Sequence, residues 1–138
     1  MFGPRIARDL FDLRSNRTSK EKTLIISRDG TVFIESNGRS IRPLVEAVLI
    51  LGSLEECIIY DRTVGLAAAK LHLELGPKSV YARIMSREAQ DLYRSHGIEF
   101  HAHETVETII ANDRTCPLEI LARRHKTDEL LEILGEFS

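Results

Sequence analysis

Two short polar stretches hold the residues of this sequence that could do chemistry, and each stands just before a predicted helix. The tripeptide Asp61-Arg62-Thr63 precedes an alanine-rich predicted helix. Cys116 stands in "NDRTCPLEILARR", at the start of a second predicted helix. Backbone N–H groups at a helix N-terminus attract anions and stabilise a thiolate. We therefore expect a polar or anionic molecule to bind at these helix entrances.

Cys116 is the candidate nucleophile. The helix dipole and the positive charge of Arg114 both favour a thiolate at this position. Pro117 suits the first turn of a helix, and Glu119 could act as a base or cap the helix. The alternative is that Cys116 is a small core residue. Cys57 lies in the apolar run "ECIIY" and is predicted to be buried, so we expect Cys116 to react faster with an alkylating reagent.

A second set of residues is predicted to bind the ligand, because the helix entrances of an open α/β sheet meet at one edge. Gly65 and the three alanines after it would allow a ligand or another backbone to approach closely. The alternative is structural: Asp61 and Thr63 cap the helix, and the small residues allow tight packing on the sheet. The candidates are Ser40, Arg42, Asp61, Arg62, Thr63, Gly65, Ser86 and Arg114.

The composition indicates one soluble domain spanning residues 1–138. Hydrophobic residues make up 43% of the chain and charged residues 29%, and the formal net charge is −2. This charge gives no basis for broad nucleic-acid binding. The sequence has no apolar run of membrane-spanning length, no secretory leader pattern and only two cysteines. A cytoplasmic protein with free thiols is expected.

The order of predicted elements indicates an α/β fold. Asp29-Gly30 between two β-rich runs is typical of a hairpin, and helices and strands then alternate. We predict a mixed sheet of about five strands with helices on both faces. A first helix is predicted at residues 4–13, and the last three helical segments are "TVETIIAND", "CPLEILARRH" and "TDELLEILGEF". The strand "IEFHAHE" is expected near an edge.

Three segments in this order, "DRTVGLAAAKL", "ARIMSREAQDL" and "RTCPLEILA", resemble a small bacterial and archaeal family of unknown function. That family has the cytidine-deaminase-like fold, and the resemblance runs from about residue 22 to residue 124. It implies a three-layer domain in which the helix entrances form the site. For the parent superfamily it would also imply a zinc-bound water and a glutamate that transfers protons.

The zinc ligands of that superfamily are missing from this sequence. Its pattern is His or Cys, one residue, then Glu at one helix entrance, and Pro-Cys-x-x-Cys at the next. Here the corresponding entrances read "SIRPLVE" and "DRTVGLAAA", and "CPLE" has the reverse order with no second cysteine. We therefore expect a deaminase-like domain with no zinc and no other cofactor.

Other chemistries have weaker patterns. His101 and His103 alternate on one predicted strand and could bind a metal together with Cys116, although a solvated pair is the more ordinary interpretation. Neither a P-loop nor a dinucleotide-binding glycine motif is present. The sequence thus predicts a zinc-free domain that binds a small polar metabolite, with a possible cysteine-dependent activity. The alternative is a non-catalytic binding or oligomerisation domain, and a homodimer is possible because the apolar last helix could pack on a second subunit.

Overall fold

A β-hairpin opens the part of the chain that the structure, a computed structural model, describes, which is residues 21–136. Strands β1 (Leu24–Arg28) and β2 (Thr31–Ser36) pair antiparallel around Asp29 and Gly30. These two residues have φ angles of 52° and 82°, as the tight two-residue turn of a hairpin requires. The predicted hairpin is confirmed.

The remaining elements alternate as predicted as far as β6. The strands are β3 (Cys57–Asp61), β4 (Thr63–Val64), β5 (Pro77–Ser86), β6 (Glu99–Val106), β7 (Ile110–Ala111) and β8 (Arg114–Thr115). The helices are α1 (Arg42–Leu51), α2 (Leu66–Leu75), α3 (Arg87–Ser95), α4 (Pro117–Arg124) and α5 (Thr127–Glu136). The helix predicted at residues 4–13 lies outside the described residues.

The main sheet is mixed, as predicted, and has six strands where about five were predicted. β1 lies between β2 and β3 and is antiparallel to both, whereas β3, β5 and β6 are parallel. β4 continues the line of β3 along β5 after an interruption at Arg62, whose carbonyl accepts from the N–H groups of Arg83 and Ile84. β6 pairs with β5 alone among the described strands, so it is the edge strand that the sequence predicts.

The prediction of a helix at "TVETIIAND" is wrong. β6 continues to Val106, and β7 and β8 form a small antiparallel ribbon around Asn112 and Asp113. Both turn residues have positive φ, which Asn and Asp tolerate better than most residues. Threonine, valine and isoleucine dominate this stretch, and their branched side chains favour strands over helices.

The core lies on one face of the sheet. All five helices contribute buried or partly buried side chains to one large cluster, with Ile26, Ile59 and Val80 from the strands. The opposite face has a smaller cluster of strand residues, Ile25, Ile58, Tyr60 and Tyr81. Helices were predicted on both faces, but within residues 21–136 they lie on one. The strand order places the end of β3 beside the entrances of α1 and α2, where the site lies.

Candidate functional site

A cleft of about 800 Å³ lies where the entrances of α1, α2 and α4 converge. Eight of the residues predicted from the sequence line it: Ser40, which is described below, and seven others. Asp61, Arg62, Thr63 and Gly65 come from the end of β3 and the start of α2, Cys116 and Glu119 from the start of α4, and Arg42 from the start of α1. The stretches Asp61-Arg62-Thr63 and Asp113-Arg114-Thr115 therefore lead to helices that meet at one cleft.

Two predicted residues lie elsewhere. Ser86 is fully buried, and its hydroxyl accepts from the N–H of Ala89 and so caps α3. Arg114 is exposed on the β7–β8 ribbon and is not among the residues that line the cleft. Ser40 does line it, but it stands one residue before the N-cap of α1, where its hydroxyl accepts from the N–H of Arg42.

Glu119 joins the two walls of the cleft. It belongs to the first turn of α4, yet its Oε1 accepts a hydrogen bond of 2.5 Å from the N–H of Leu66 at the start of α2. The side chain is 3% exposed, and burial raises the pKa of its carboxyl although the N–H groups of Leu66 and Ala67 act in the opposite direction. Glu119 therefore caps a helix other than its own, which the sequence alone did not indicate.

Lys70 makes the reciprocal connection. This residue lies on α2, and its Nζ donates to the carbonyls of Ala122 and His125 at the end of α4, at 2.5 and 2.8 Å. A cation suits the C-terminal end of a helix, as an anion suits the N-terminal end. A side chain of α4 thus satisfies backbone groups at the start of α2, and a side chain of α2 satisfies backbone groups at the end of α4.

Gly65 is small because the carboxylate of Glu119 lies against it. A Cβ at position 65 would overlap all three atoms of that carboxylate. The close approach predicted at Gly65 therefore occurs, and a side chain occupies the space. Asp61 and Thr63 do not cap α2, because no side chain from the preceding strand bonds to its first N–H groups.

Asp61 ends a buried chain of polar groups. Its Oδ2 lies 2.9 Å from Nε2 of His72, and Nδ1 of His72 lies 2.5 Å from the hydroxyl of Tyr93. His72 and Tyr93 are fully buried, whereas the side chain of Asp61 is 16% exposed. Burial raises the pKa of Asp61, and its hydrogen bond with His72 partly offsets this.

Cys116 is the N-cap residue of α4 and is partly exposed at the cleft. Its carbonyl accepts from the N–H of Glu119, and no side chain caps this helix entrance. Cys57, in contrast, is fully buried, and burial raises the pKa of its thiol to about 11. The prediction that Cys57 is a core residue is confirmed.

The charges at the cleft are unevenly balanced. The guanidinium of Arg42 pairs with Glu46 at 3.1 Å. Among residues 21–136, no carboxylate forms an ion pair with Arg39 or Arg62, which also line the cleft. The two carboxylates of the cleft, Asp61 and Glu119, bond to other protein groups and do not pair with these arginines. The two arginines are therefore available to an incoming anion.

The described residues contain no group of three or more His, Cys, Asp and Glu side chains placed to hold a metal ion. His101 stacks on Tyr81 with ring centroids 4.7 Å apart and pairs with Glu99. It does not meet Cys116, so the proposed metal site of His101, His103 and Cys116 does not form. No described helix has the length and apolar character needed to cross a membrane.

Comparison with protein families supplies the first relatives. A family model described as a domain of unknown function, DUF1893, matches residues 15–138. The chain belongs to the DUF1893 family. The crystal structure of a DUF1893 family protein, TM1506 from Thermotoga maritima, is similar with a TM-score of 0.81 and 25% identity, over 97% of this chain and 88% of that one. No curated protein matches.

Three residues at or behind this cleft are not among those that the sequence predicts: His72, Tyr93 and Arg39. A signal for His72 did exist, because it lies four residues after Ala68 and three before Leu75 on the buried face of α2. A histidine on such a face requires a polar partner, and Asp61 at the end of a buried strand is a suitable one.

Gly65→Ala is expected to destabilise the protein by about 1–3 kcal/mol, because the new methyl group overlaps the Glu119 carboxylate. In a Glu119→Ala background the same change should cost far less, since the space is then empty. Chemical denaturation of the two single variants and the double variant measures this coupling. Glu74→Ala, an exposed change on α2, is the control and should change the free energy of unfolding by less than about 0.5 kcal/mol. Additive effects at positions 65 and 119 would contradict the contact.

Glu119→Gln should change how stability depends on pH. Since the pKa of Glu119 is raised in the folded state, its contribution is fully present below the pKa of an unfolded glutamate, about 4.3. That contribution is lost as the pH rises through the higher folded value. The free energy of unfolding of the wild type, relative to Glu119→Gln, should therefore fall across this window and then level off. A difference that increases with pH would show that the folded state favours the ionised carboxylate.

Proposed function

We propose that this chain binds a small polar or anionic metabolite in the cleft between the entrances of α1, α2 and α4. One observation carries the proposal. A cleft of about 800 Å³ is lined by polar side chains from three separate helix entrances. That size is within the range of small-molecule sites, and a few polar groups in a largely apolar lining fix the orientation of a ligand.

The charges of the cleft support an anion as the ligand. Arg39 and Arg62 offer guanidinium groups that no described carboxylate occupies. Arginine presents a planar set of donors that matches a carboxylate or phosphate, so one anionic group of the ligand would lie between them. Ser40 and Thr63 add hydroxyl groups at the same cleft.

The finer assignment is a deaminase-like domain that works without zinc in the cytoplasm. The mixed sheet, with β1 antiparallel to β3 and with β3, β5 and β6 parallel, supports the deaminase-like arrangement. The site would lie at the same helix entrances as in that superfamily, and here Gly65, Cys116 and Glu119 line the cleft at those entrances. These residues form no metal site in the described chain.

A cysteine-dependent activity would use Cys116 as the nucleophile. Its sulfur would attack an electrophilic carbon of the bound ligand, forming a C–S bond as a leaving group departs with its electron pair. Glu119 is committed to the entrance of α2, so it is a positioning residue in this scheme. Cys116→Ser should keep the fold and lose turnover, whereas a pure binding domain should bind its ligand equally well after Cys116→Ala.

A second candidate function is assembly through exposed apolar side chains. Leu49 is 62% exposed and Ile50 is 75% exposed, side by side on α1. In contrast, α5 buries Leu130 and Leu134 in the core of its own chain, which leaves α1 the better surface for a second copy. Light scattering should then give a dimer that Ile50→Lys converts to a monomer. A wild-type monomer at high concentration would exclude this candidate.

Cys116 can be alkylated by the anion iodoacetate or by neutral iodoacetamide. The ratio of the iodoacetate rate to the iodoacetamide rate should be higher in the folded protein than in the protein unfolded in urea. The reason is that the two arginines attract the anionic reagent into the cleft. Arg39→Gln and Arg62→Gln should each lower the ratio of the iodoacetate rate to the iodoacetamide rate about threefold. Timed labelling near neutral pH with peptide mapping measures both rates.

Two internal controls accompany this measurement. Arg124→Gln changes an exposed arginine that does not line the cleft, so it should leave the ratio of the two rates unchanged. Cys57 should stay unlabelled until the protein unfolds, because its thiol is buried and protonated. If the ratio at Cys116 equals that of the unfolded chain and the cleft arginines have no effect, the anion-binding proposal fails.

A further inference from the structure

Two hydrogen bonds join Tyr93, His72 and Asp61 into a buried chain. Burial and the charge of Asp61 raise the pKa of the Tyr93 hydroxyl well above its usual value, so the hydroxyl keeps its proton. With this hydroxyl as the donor to Nδ1 of His72, the ring proton lies on Nε2. That N–H donates to Oδ2 of Asp61.

These hydrogen bonds hold the Asp61 carboxylate in place. Oδ2 is held by His72 behind the cleft wall, which leaves Oδ1 for a molecule in the cleft. The two residues behind Asp61 are fully buried, so water does not compete for them. The ring of Tyr93 is held in turn by Phe100, with ring centroids 6.0 Å apart. The carboxylate is therefore held in place by groups whose own positions are fixed.

We propose that Asp61 is the group that exchanges a proton with the ligand, and that His72 and Tyr93 are the residues that position it. The ligand class follows, and this rests on the function proposed above: a small anion that also carries an O–H or N–H group. The anionic part lies near Arg39 and Arg62, and the O–H or N–H group faces Asp61.

The proton exchange balances without any other reagent. The O–H or N–H bond of the ligand breaks, the proton goes to Oδ1 of Asp61, and the electron pair stays on the ligand. The reverse step returns the proton. Burial raises the pKa of the Asp61 carboxyl, which makes it a stronger proton acceptor than an ordinary aspartate.

Several other ionisable groups surround Asp61 and belong in any test. They are His72 on α2, Tyr93 on α3, Glu119 and Cys116 at the start of α4, Arg62 beside it, and Arg39 and Arg42 near α1. Of these, Glu119 is the second carboxyl at the cleft and also has a raised pKa. A variant of Glu119 is therefore the necessary control.

The charge of Asp61 can be measured with the same two alkylating reagents over a range of pH. Both reagents attack the same Cys116 thiolate, so the ratio of their rates cancels the thiolate fraction and reports the charge in the cleft. When Asp61 ionises, its negative charge should slow iodoacetate and lower the ratio about threefold. Asp61→Asn should remove this step, and Glu119→Gln should leave it in place.

Tyr93→Phe distinguishes a positioning role from packing. The substitution keeps the ring but removes the hydroxyl that bonds to Nδ1 of His72. If that hydroxyl positions His72, its loss weakens the hydrogen bond that lowers the pKa of Asp61, so the midpoint of the Asp61 step should move to higher pH. An unchanged midpoint would show that Tyr93 only fills space, and the absence of any step in the wild type would overturn the proposal.

Nitrogen-15 NMR of His72 in the unmodified protein tests the same proposal without a variant. The expected ring has a proton on Nε2, and its Nδ1 accepts from Tyr93. A proton on Nδ1 instead would reverse the hydrogen bonds and overturn the proposal. Failure here is separate from failure of anion binding, because the effects of Arg39→Gln and Arg62→Gln on the reagent ratio are measured at one fixed pH.

Discussion

The carboxylate of Glu119, buried against the first turn of α2, is the interaction on which the site depends. It satisfies backbone N–H groups of a helix 53 residues earlier in the chain, and Lys70 does the converse for the carbonyls at the end of α4. A buried carboxylate without such donors would cost several kcal/mol, so the two helices must stay side by side. Because α2 follows the end of β3 and α4 begins at Cys116, this pairing is what brings the two walls of the cleft together.

The few polar groups of the cleft are supported by further polar groups behind them. Asp61 is backed by His72 and Tyr93, whereas Arg39 and Arg62 have no acidic partner among the described residues. The site therefore combines a carboxylate that is held in place with two guanidinium groups available to an anion. This combination suits a small anion with an exchangeable proton better than it suits an extended, highly charged polymer, and the net charge of −2 agrees with that.

Local patterns in the sequence were sufficient for most of the fold and for the location of the cleft. Asp29-Gly30 predicted the hairpin, and the helix entrances predicted which loops would meet, because both depend on residues close together in the chain. What could not be predicted depends on distant pairs. Nothing near Glu119 shows that it caps α2, and nothing near Ser86 shows that its helix entrance lies away from the cleft. The segment after Glu104 is a strand and a ribbon, not the predicted helix, because apolar spacing alone does not separate a helix from the extended structure that branched residues favour.

Hydrogen exchange at the amides of Leu66 and Ala67 tests the central claim most directly, that Glu119 holds the two walls of the cleft together. These amides lie in the first turn of α2, where N–H groups have no partner inside their own helix and exchange quickly unless capped. The account predicts strong protection in the wild type, lost in Glu119→Ala while amides in the middle of α2 keep theirs. Rapid exchange at both positions in the wild type, or equal protection in the two proteins, would contradict it.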